Sequence, residues 1–181
     1  MIGSVFIATS LDGFIAREDG SLDWLDKANE LVPEGEDCGF FAFMDSIDAL
    51  VMGRNTYEKV LSFGQWVYGE TRVVVLSRNS IVIPENLTEW VEHSAETPDA
   101  LFERLSAGGH ERIYVDGGIT IQQFLKAGLI NDICLTVIPV ILGKGIALFG
   151  ELDKDVDLRH IDTKTYDFGF TQSVYEVDDS A

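Results

Sequence analysis

The sequence predicts an α/β domain: a mainly parallel sheet with helices on both faces, closed at its C-terminal end by an antiparallel hairpin. Three observations carry this. Apolar strand-like runs alternate with helix-period segments along most of the chain. The run Arg72-Val73-Val74-Val75-Leu76-Ser77 is continuous and β-branched, as parallel strands covered on both faces tend to be. The last two runs, Asp157 to Tyr166 and Phe170 to Val177, are separated only by Asp167-Phe168-Gly169, which is hairpin spacing. A length of 181 residues with 46% hydrophobic content fits one domain, residues 1–181, with a proper core.

In chain order, Gly3 to Thr9 reads as a buried strand, and Ser10-Leu11-Asp12-Gly13 turns out of it. Phe14-Ile15-Ala16 resumes briefly before the polar loop Arg17 to Ser21. Leu22 to Leu25, with Trp24, reads as an apolar patch inside a long irregular region that reaches Gly35. Asp37 to Ser46 reads as a short core helix. Ala49 to Met52 is a second strand, and Gly53-Arg54-Asn55 opens a helix from Thr56 to Leu61. After the third strand, Glu89-Trp90-Val91 is a weak one, and Thr97-Pro98 caps a helix running to about Ala107. Ile113-Tyr114-Val115-Asp116 is a strand that feeds the helix around Ile121, Phe124 and Leu125 through Gly117-Gly118. Asp132 to Ile141 is a long strand interrupted by Pro139, which marks an edge, bend or bulge. Gly143-Lys144-Gly145 is a glycine loop.

Charge narrows the partners. Thirteen basic residues face 31 acidic ones, a formal net charge of −18. Such a surface repels nucleic acid and anionic lipid, so a small-molecule substrate is expected and polynucleotide and membrane partners are not. The first residues lack the basic flank of an export signal, and no apolar run is long enough to span a membrane. Cys38 and Cys134 form no CxxC, which fits a reduced, cytoplasmic protein. His93, His110 and His160 show no ligand spacing with either cysteine, so no metal is expected.

One event repeats three times: a buried strand ends and polar or glycine residues follow. These ends are Met52-Gly53-Arg54-Asn55-Thr56, Leu76-Ser77-Arg78-Asn79 and Val115-Asp116-Gly117-Gly118-Ile119-Thr120. Ligands of open α/β sheets bind outside the carboxyl ends of the strands. A glycine pair before a helix can leave its first N–H groups bare as an anion site, or can be an ordinary tight turn. Arg54 and Arg78, two of few cations in an acidic chain, favour a phosphorylated cofactor.

These residues carry a family resemblance. Met52-Gly53-Arg54-Asn55-Thr56-Tyr57-Glu58, Val75-Leu76-Ser77-Arg78 and Val115-Asp116-Gly117-Gly118 resemble the cofactor-side strand ends of dihydrofolate reductases. Thr9-Ser10-Leu11-Asp12-Gly13-Phe14-Ile15-Ala16 and Val137 to Gly145 resemble the pyrimidine reductase domain of bacterial riboflavin biosynthesis. The resemblance spans nearly the whole chain and implies the three-layer αβα dihydrofolate reductase-like fold, NADPH as cofactor and hydride transfer to a small heterocycle or carbonyl compound. It implies that Arg54, Asn55 and Thr56 hold cofactor phosphates and that Ser77 and Arg78 meet the adenosine 2′-phosphate, with Gly53 and Leu76 also in the cofactor site. Gly117, Gly118, Ile119 and Thr120 would cradle the pyrophosphate, and the Ala8 backbone would meet the nicotinamide.

For catalysis two carboxylates are candidates. Asp12 follows the first strand, where the resemblance places a substrate-facing aspartate; it is otherwise an Asp-Gly turn residue. Asp37 stands where folate enzymes carry their buried carboxylate; it is otherwise a helix N-terminal acid. Thr9, Ser10, Trp24 and Phe41 are the expected substrate contacts. Related domains form homodimers, and the apolar run Ile133 to Leu142 could be the interface or core. Two further readings stay open: a dihydrofolate reductase, and a nucleotide-binding module of the same fold without catalysis.

Overall fold

The computed structural model of the protein describes residues 1–178. Its strands are β1 (Ile2–Ser10), β2 (Phe14–Ala16), β3 (Ala49–Gly53), β4 (Arg72–Leu76), β5 (Val91–Ser94), β6 (Arg112–Asp116), β7 (Asp132–Ile138), β8 (Ile146–Ala147), β9 (Leu158–Thr165) and β10 (Thr171–Val177). Its helices are α1 (Asp23–Asn29), α2 (Phe40–Met44), α3 (Arg54–Leu61), α4 (Pro98–Ala107) and α5 (Gly118–Lys126). Eight strands form one sheet in the order β5-β4-β3-β6-β1-β7-β10-β9, while β2 and β8 pair as a separate flap. Pairing is parallel from β5 to β7 and antiparallel at β10 and β9.

The period of two along each strand sorts side chains between two faces. Ala49, Val51, Val74, Ile113 and Val115 face α4 and α5, packing with Leu101, Leu105, Ile121 and Phe124. Leu50, Met52, Val73, Val75 and Tyr114 face the other way, against Phe43 of α2 and Tyr57 and Val60 of α3. Beside them α1 lays Trp24 and Ala28 on Ile138, Tyr166 and Phe170. The result is the expected three-layer αβα arrangement with a mainly parallel sheet and a closing hairpin. Among the described residues no helix is long and apolar enough to cross a membrane.

The structure corrects four element expectations. The region expected to be irregular holds α1, because Trp24, Leu25 and Ala28 recur at helical spacing behind the Arg17–Ser21 turn. The helix expected over Asp37 to Ser46 is confined to Phe40–Met44, since Gly39 at φ 84° is its N-cap. The fifth strand lies over Val91–Ser94 and not over Glu89 to Val91. Strand β7 ends at Ile138, because Pro139 has no N–H to offer the ladder. Two residues beyond it, Val140 folds back onto the Ile138 carbonyl at 2.8 Å. β7 is also an interior strand, between β1 and β10, and its Ile133 and Ile138 are core; Leu135 and Val137 are only half-buried. By contrast all eight residues of the edge strand β9 are exposed.

Candidate active site

Strands β3 and β6 lie side by side with Met52 opposite Asp116, yet the chain leaves them toward opposite faces, into α3 and α5. The crevice at such a switch point is where open α/β sheets take ligands. Both helices start bare. The N-cap residues are Gly53 and Gly117, and neither helix receives a side-chain cap, so their first-turn N–H groups point unpartnered by side chains into the crevice. The two starts also interlock. A Cβ on Gly53 would come within 2.9 Å of Thr120 Oγ1, and one on Gly117 would collide with Thr56 Oγ1. Gly117 sits at φ 89°, a left-handed conformation that only glycine adopts without strain. A Cβ on Gly118 would meet Ile15 Cδ1 at 3.0 Å and the Ala147 carbonyl at 3.1 Å, so the β2–β8 flap packs directly on the start of α5.

The predicted cofactor residues surround this point. Arg54 is the first residue of α3; its guanidinium is 3.7 Å from Glu58, and Asn55 beside it is exposed. Thr56 and Thr120 are the interlocking pair, and Ile119 is exposed. At the end of β4, Leu76 is half-buried and Ser77 Oγ ties the turn by donating to the Asn79 carbonyl at 2.7 Å. Arg78 is exposed and has no ion-pair partner among the described residues. Sequence reasoning missed His93, whose Nε2 holds the Ser77 carbonyl at 2.8 Å and fixes this strand end from β5. Ala8, on β1, is half-buried among the residues around Trp24 and Ile138.

The two expected catalytic carboxylates are both committed to backbone. Asp12 accepts from Ser10 Oγ at 2.6 Å, Leu142 N at 3.1 Å and Gly143 N at 2.7 Å. These bonds, the Ser10 hydroxyl foremost, push its carboxyl down to about 2 and favour the anion. It is a latch between the β1–β2 turn and the loop after β7. We expect Asp12→Asn to leave the pH dependence of turnover unchanged and to speed amide exchange at Leu142 and Gly143 roughly tenfold, measured by hydrogen exchange. Asp37 accepts from Phe41 N at 2.7 Å and Gly39 N at 2.9 Å, bonds that lower its carboxyl. It is the helix-terminal acid, and the folate-type role is not supported by this geometry.

The carboxylate that the crevice does hold is Asp116. It ends β6 one residue before the glycine pair, on the same face as Tyr114 and Met52, and keeps only a little accessible surface. Burial pushes it up to about 6, against the Gly117 N–H at 2.8 Å and the neighbouring Tyr114 hydroxyl, which favour the anion. That hydroxyl donates to the Phe6 carbonyl at 2.8 Å, and Tyr68 lies near enough to feel the Asp116 charge. The sequence signal was there: a polar residue closing an otherwise apolar strand. It reads equally well as part of the turn.

Of the expected substrate contacts, Thr9 and Ser10 are 2% and 1% exposed, and the Ser10 hydroxyl is occupied by Asp12 and the Phe14 N–H. Trp24 is 5% exposed under α1, and its indole N–H finds no acceptor among the described residues. Phe41, 70% exposed on α2, is the one of the four that presents a free surface.

Comparison with known proteins identifies the family. Residues 3–171 match the family model of the RibD C-terminal domain. The chain is 36% identical over 166 residues to the uncharacterised protein YwjB of Bacillus subtilis strain 168, covering 90% of each. It superposes with a TM-score of 0.92 on a crystal structure from Shewanella sp. PV-4 provisionally assigned to riboflavin biosynthesis, at 40% identity over 98% of this chain and 99% of that one. The diaminohydroxyphosphoribosylaminopyrimidine deaminase/5-amino-6-(5-phosphoribosylamino)uracil reductase of Thermotoga maritima gives 0.72 at 15% identity, over 98% of this chain and 56% of that one. The chain belongs to the RibD C-terminal domain family and has the dihydrofolate reductase-like fold.

Proposed function

We propose that this protein is an NADPH-dependent reductase that adds hydride to a C=N or C=O bond of a small heterocyclic or carbonyl substrate. The reaction resembles that of 5-amino-6-(5-phosphoribosylamino)uracil reductase. The observation that carries the reading is the convergence, at one switch point, of two uncapped helix starts, Arg54 and the buried carboxyl of Asp116. The residues fit a dinucleotide. The N–H groups opening α3 and α5 suit its diphosphate, the glycines let that backbone come close, and Arg54 adds charge-assisted bonds. Ser77 and Arg78 suit the 2′-phosphate, and the Ala8 backbone suits the nicotinamide amide.

When bound, NADPH supplies the hydride from its nicotinamide ring. The chain's part is to orient, to exclude water and to provide the proton. Asp116 in its neutral form gives its proton to the substrate nitrogen or oxygen as the new C–H bond forms, is left as the carboxylate and regains a proton from solvent. Arg78→Ala tests the cofactor side: it is expected to weaken NADPH about 10- to 100-fold and NADH less than about twofold, read by tryptophan-fluorescence titration. Equal losses refute the 2′-phosphate role. We also infer a homodimer formed across the half-buried face around Leu135 and Val137, continuous with the exposed β9. Light scattering is expected to give twice the chain mass of 20.0 kDa; the monomer mass contradicts it.

A further inference from the structure

Strands β4 and β5 run parallel with Leu76 opposite Ser94, and just past the end of β4 the Ser77 N–H still donates to the Ser94 carbonyl at 2.9 Å. A parallel ladder would next bring the Glu96 N–H to the Ser77 carbonyl. That N–H goes instead to Ser94 Oγ at 3.1 Å, and Ser94 Oγ in turn donates to the Glu96 carboxylate at 2.7 Å. The Ser77 carbonyl is left to His93 Nε2 at 2.8 Å. A carbonyl only accepts, so Nε2 carries the hydrogen, and this ring nitrogen stands in for the missing backbone donor.

The same register sorts the charges between the two faces of the sheet. His93 lies opposite Val75 and two residues beyond Val91, on the face that packs against α3, the helix that Arg54 opens. Glu92, between Val91 and His93, turns to the other face, where it is bonded to Arg72 at 2.5 Å and to Arg104 of α4 at 2.8 Å. Arg104 also holds Glu96, at 2.9 and 3.2 Å. At the end of β4, Ser77 Oγ donates to the Asn79 carbonyl at 2.7 Å and accepts from the Asn79 N–H at 3.1 Å, so Arg78 sits at the apex of a turn closed on itself. Arg78 is exposed and makes no ion pair among the described residues. Two bonds from β5 to Ser77, the Ser94 carbonyl on its N–H and His93 on its carbonyl, fasten that turn to the sheet.

Resting on the reductase reading above, we propose that His93 is a positioning residue for the choice of cofactor. By holding the Ser77 carbonyl it sets where Arg78 meets the adenosine 2′-phosphate. His93 acts through Arg78 and as a hydrogen-bond donor, so its loss weakens the cofactor that carries the 2′-phosphate and spares the one that lacks it.

The test titrates NADPH and NADH by tryptophan fluorescence against the full chain and its variants. His93→Leu is expected to weaken NADPH about tenfold and NADH less than about twofold. His93→Gln, whose amide nitrogen can take the place of Nε2, is expected to bring NADPH back to within about threefold of the native affinity. His93→Asn, whose amide stops short of the carbonyl, is expected to behave like His93→Leu, and the Asn and Gln pair carries the comparison even where His93→Leu does not fold. In an Arg78→Ala background, His93→Leu is expected to weaken NADPH by less than about a further twofold, because the two residues act as one unit. No loss in His93→Leu, equal losses of NADPH and NADH, no rescue by glutamine, or full additivity with Arg78→Ala overturns the proposal and leaves the reductase reading standing. Native protein that binds neither cofactor refutes that reading and this proposal with it.

Discussion

Asp116→Asn is expected to lower the rate of hydride transfer roughly 100- to 10,000-fold, the range for removal of a positioned general acid, with NADPH affinity changed less than about twofold. Asparagine keeps the shape at the end of β6 and can still accept from the Gly117 N–H, so the crevice stays intact. The pH dependence separates this role from a structural one. With its carboxyl near 6, the native protein is expected to lose turnover as pH rises above that value, and the variant to be slow and nearly flat. Stability falls with pH as well. A carboxyl raised from 3.8 to about 6 in the fold gives its full stability below pH 4 and loses it as pH rises through 6. The variant, neutral throughout, is therefore expected to match the native protein at pH 4 and to exceed it by about 2 kcal/mol at pH 8, read by thermal unfolding at each pH. A variant that is both slower and less stable at pH 8 would make Asp116 a structural residue.

Gly117→Ala is expected to be the most destabilising single-atom change in the crevice. The residue holds φ 89°, and the added methyl meets Thr56 Oγ1 at the start of α3. Left-handed strain and the collision together are expected to destabilise by about 3 kcal/mol and to lower the midpoint by roughly 6 to 12 °C. Relief of the collision pushes α3 from α5, so NADPH affinity falls with stability. Gly117→Ala combined with Thr56→Ser keeps the strain and the hydroxyl but drops the threonine methyl; it is expected to recover little. Thr56→Gly with Gly117→Ala removes the obstacle and leaves only the strain. If Gly117→Ala binds NADPH and melts like the native chain, the interlock is not what holds the two helix starts together.

The parts of this molecule that local chemistry dictates were legible in the sequence. The three strand ends stood out because buried β-branched runs stop abruptly at glycine and arginine, and Thr97-Pro98 announced α4 by cap chemistry; Thr97 Oγ1 accepts from Ala100 N at 3.4 Å. What stayed hidden depends on distant partners. Asp12 reads locally as a turn residue or a substrate-facing acid, while its backbone partners Leu142 and Gly143 lie about 130 residues away. Helix α1 was masked by the turn before it, since seven residues give only two turns of apolar period. Strand β8 is two residues long and exists only because β2 pairs with it. Asp116 was visible as a strand end but not as an acid with a raised carboxyl, because Tyr68 and the neighbouring strand β3 reach it from elsewhere in the chain.

The switch point between β3 and β6 is proposed to hold NADPH, with Asp116 as the acid beside it. A stopped-flow single-turnover measurement on NADPH-loaded protein, across pH and for native and Asp116→Asn chains, tests it most directly. Both chains are expected to bind NADPH saturably at micromolar concentration, with a hydride-transfer step that falls above pH about 6 only in the native protein. No saturable binding of NADPH up to millimolar concentration, or an identical pH profile in both chains, would contradict it.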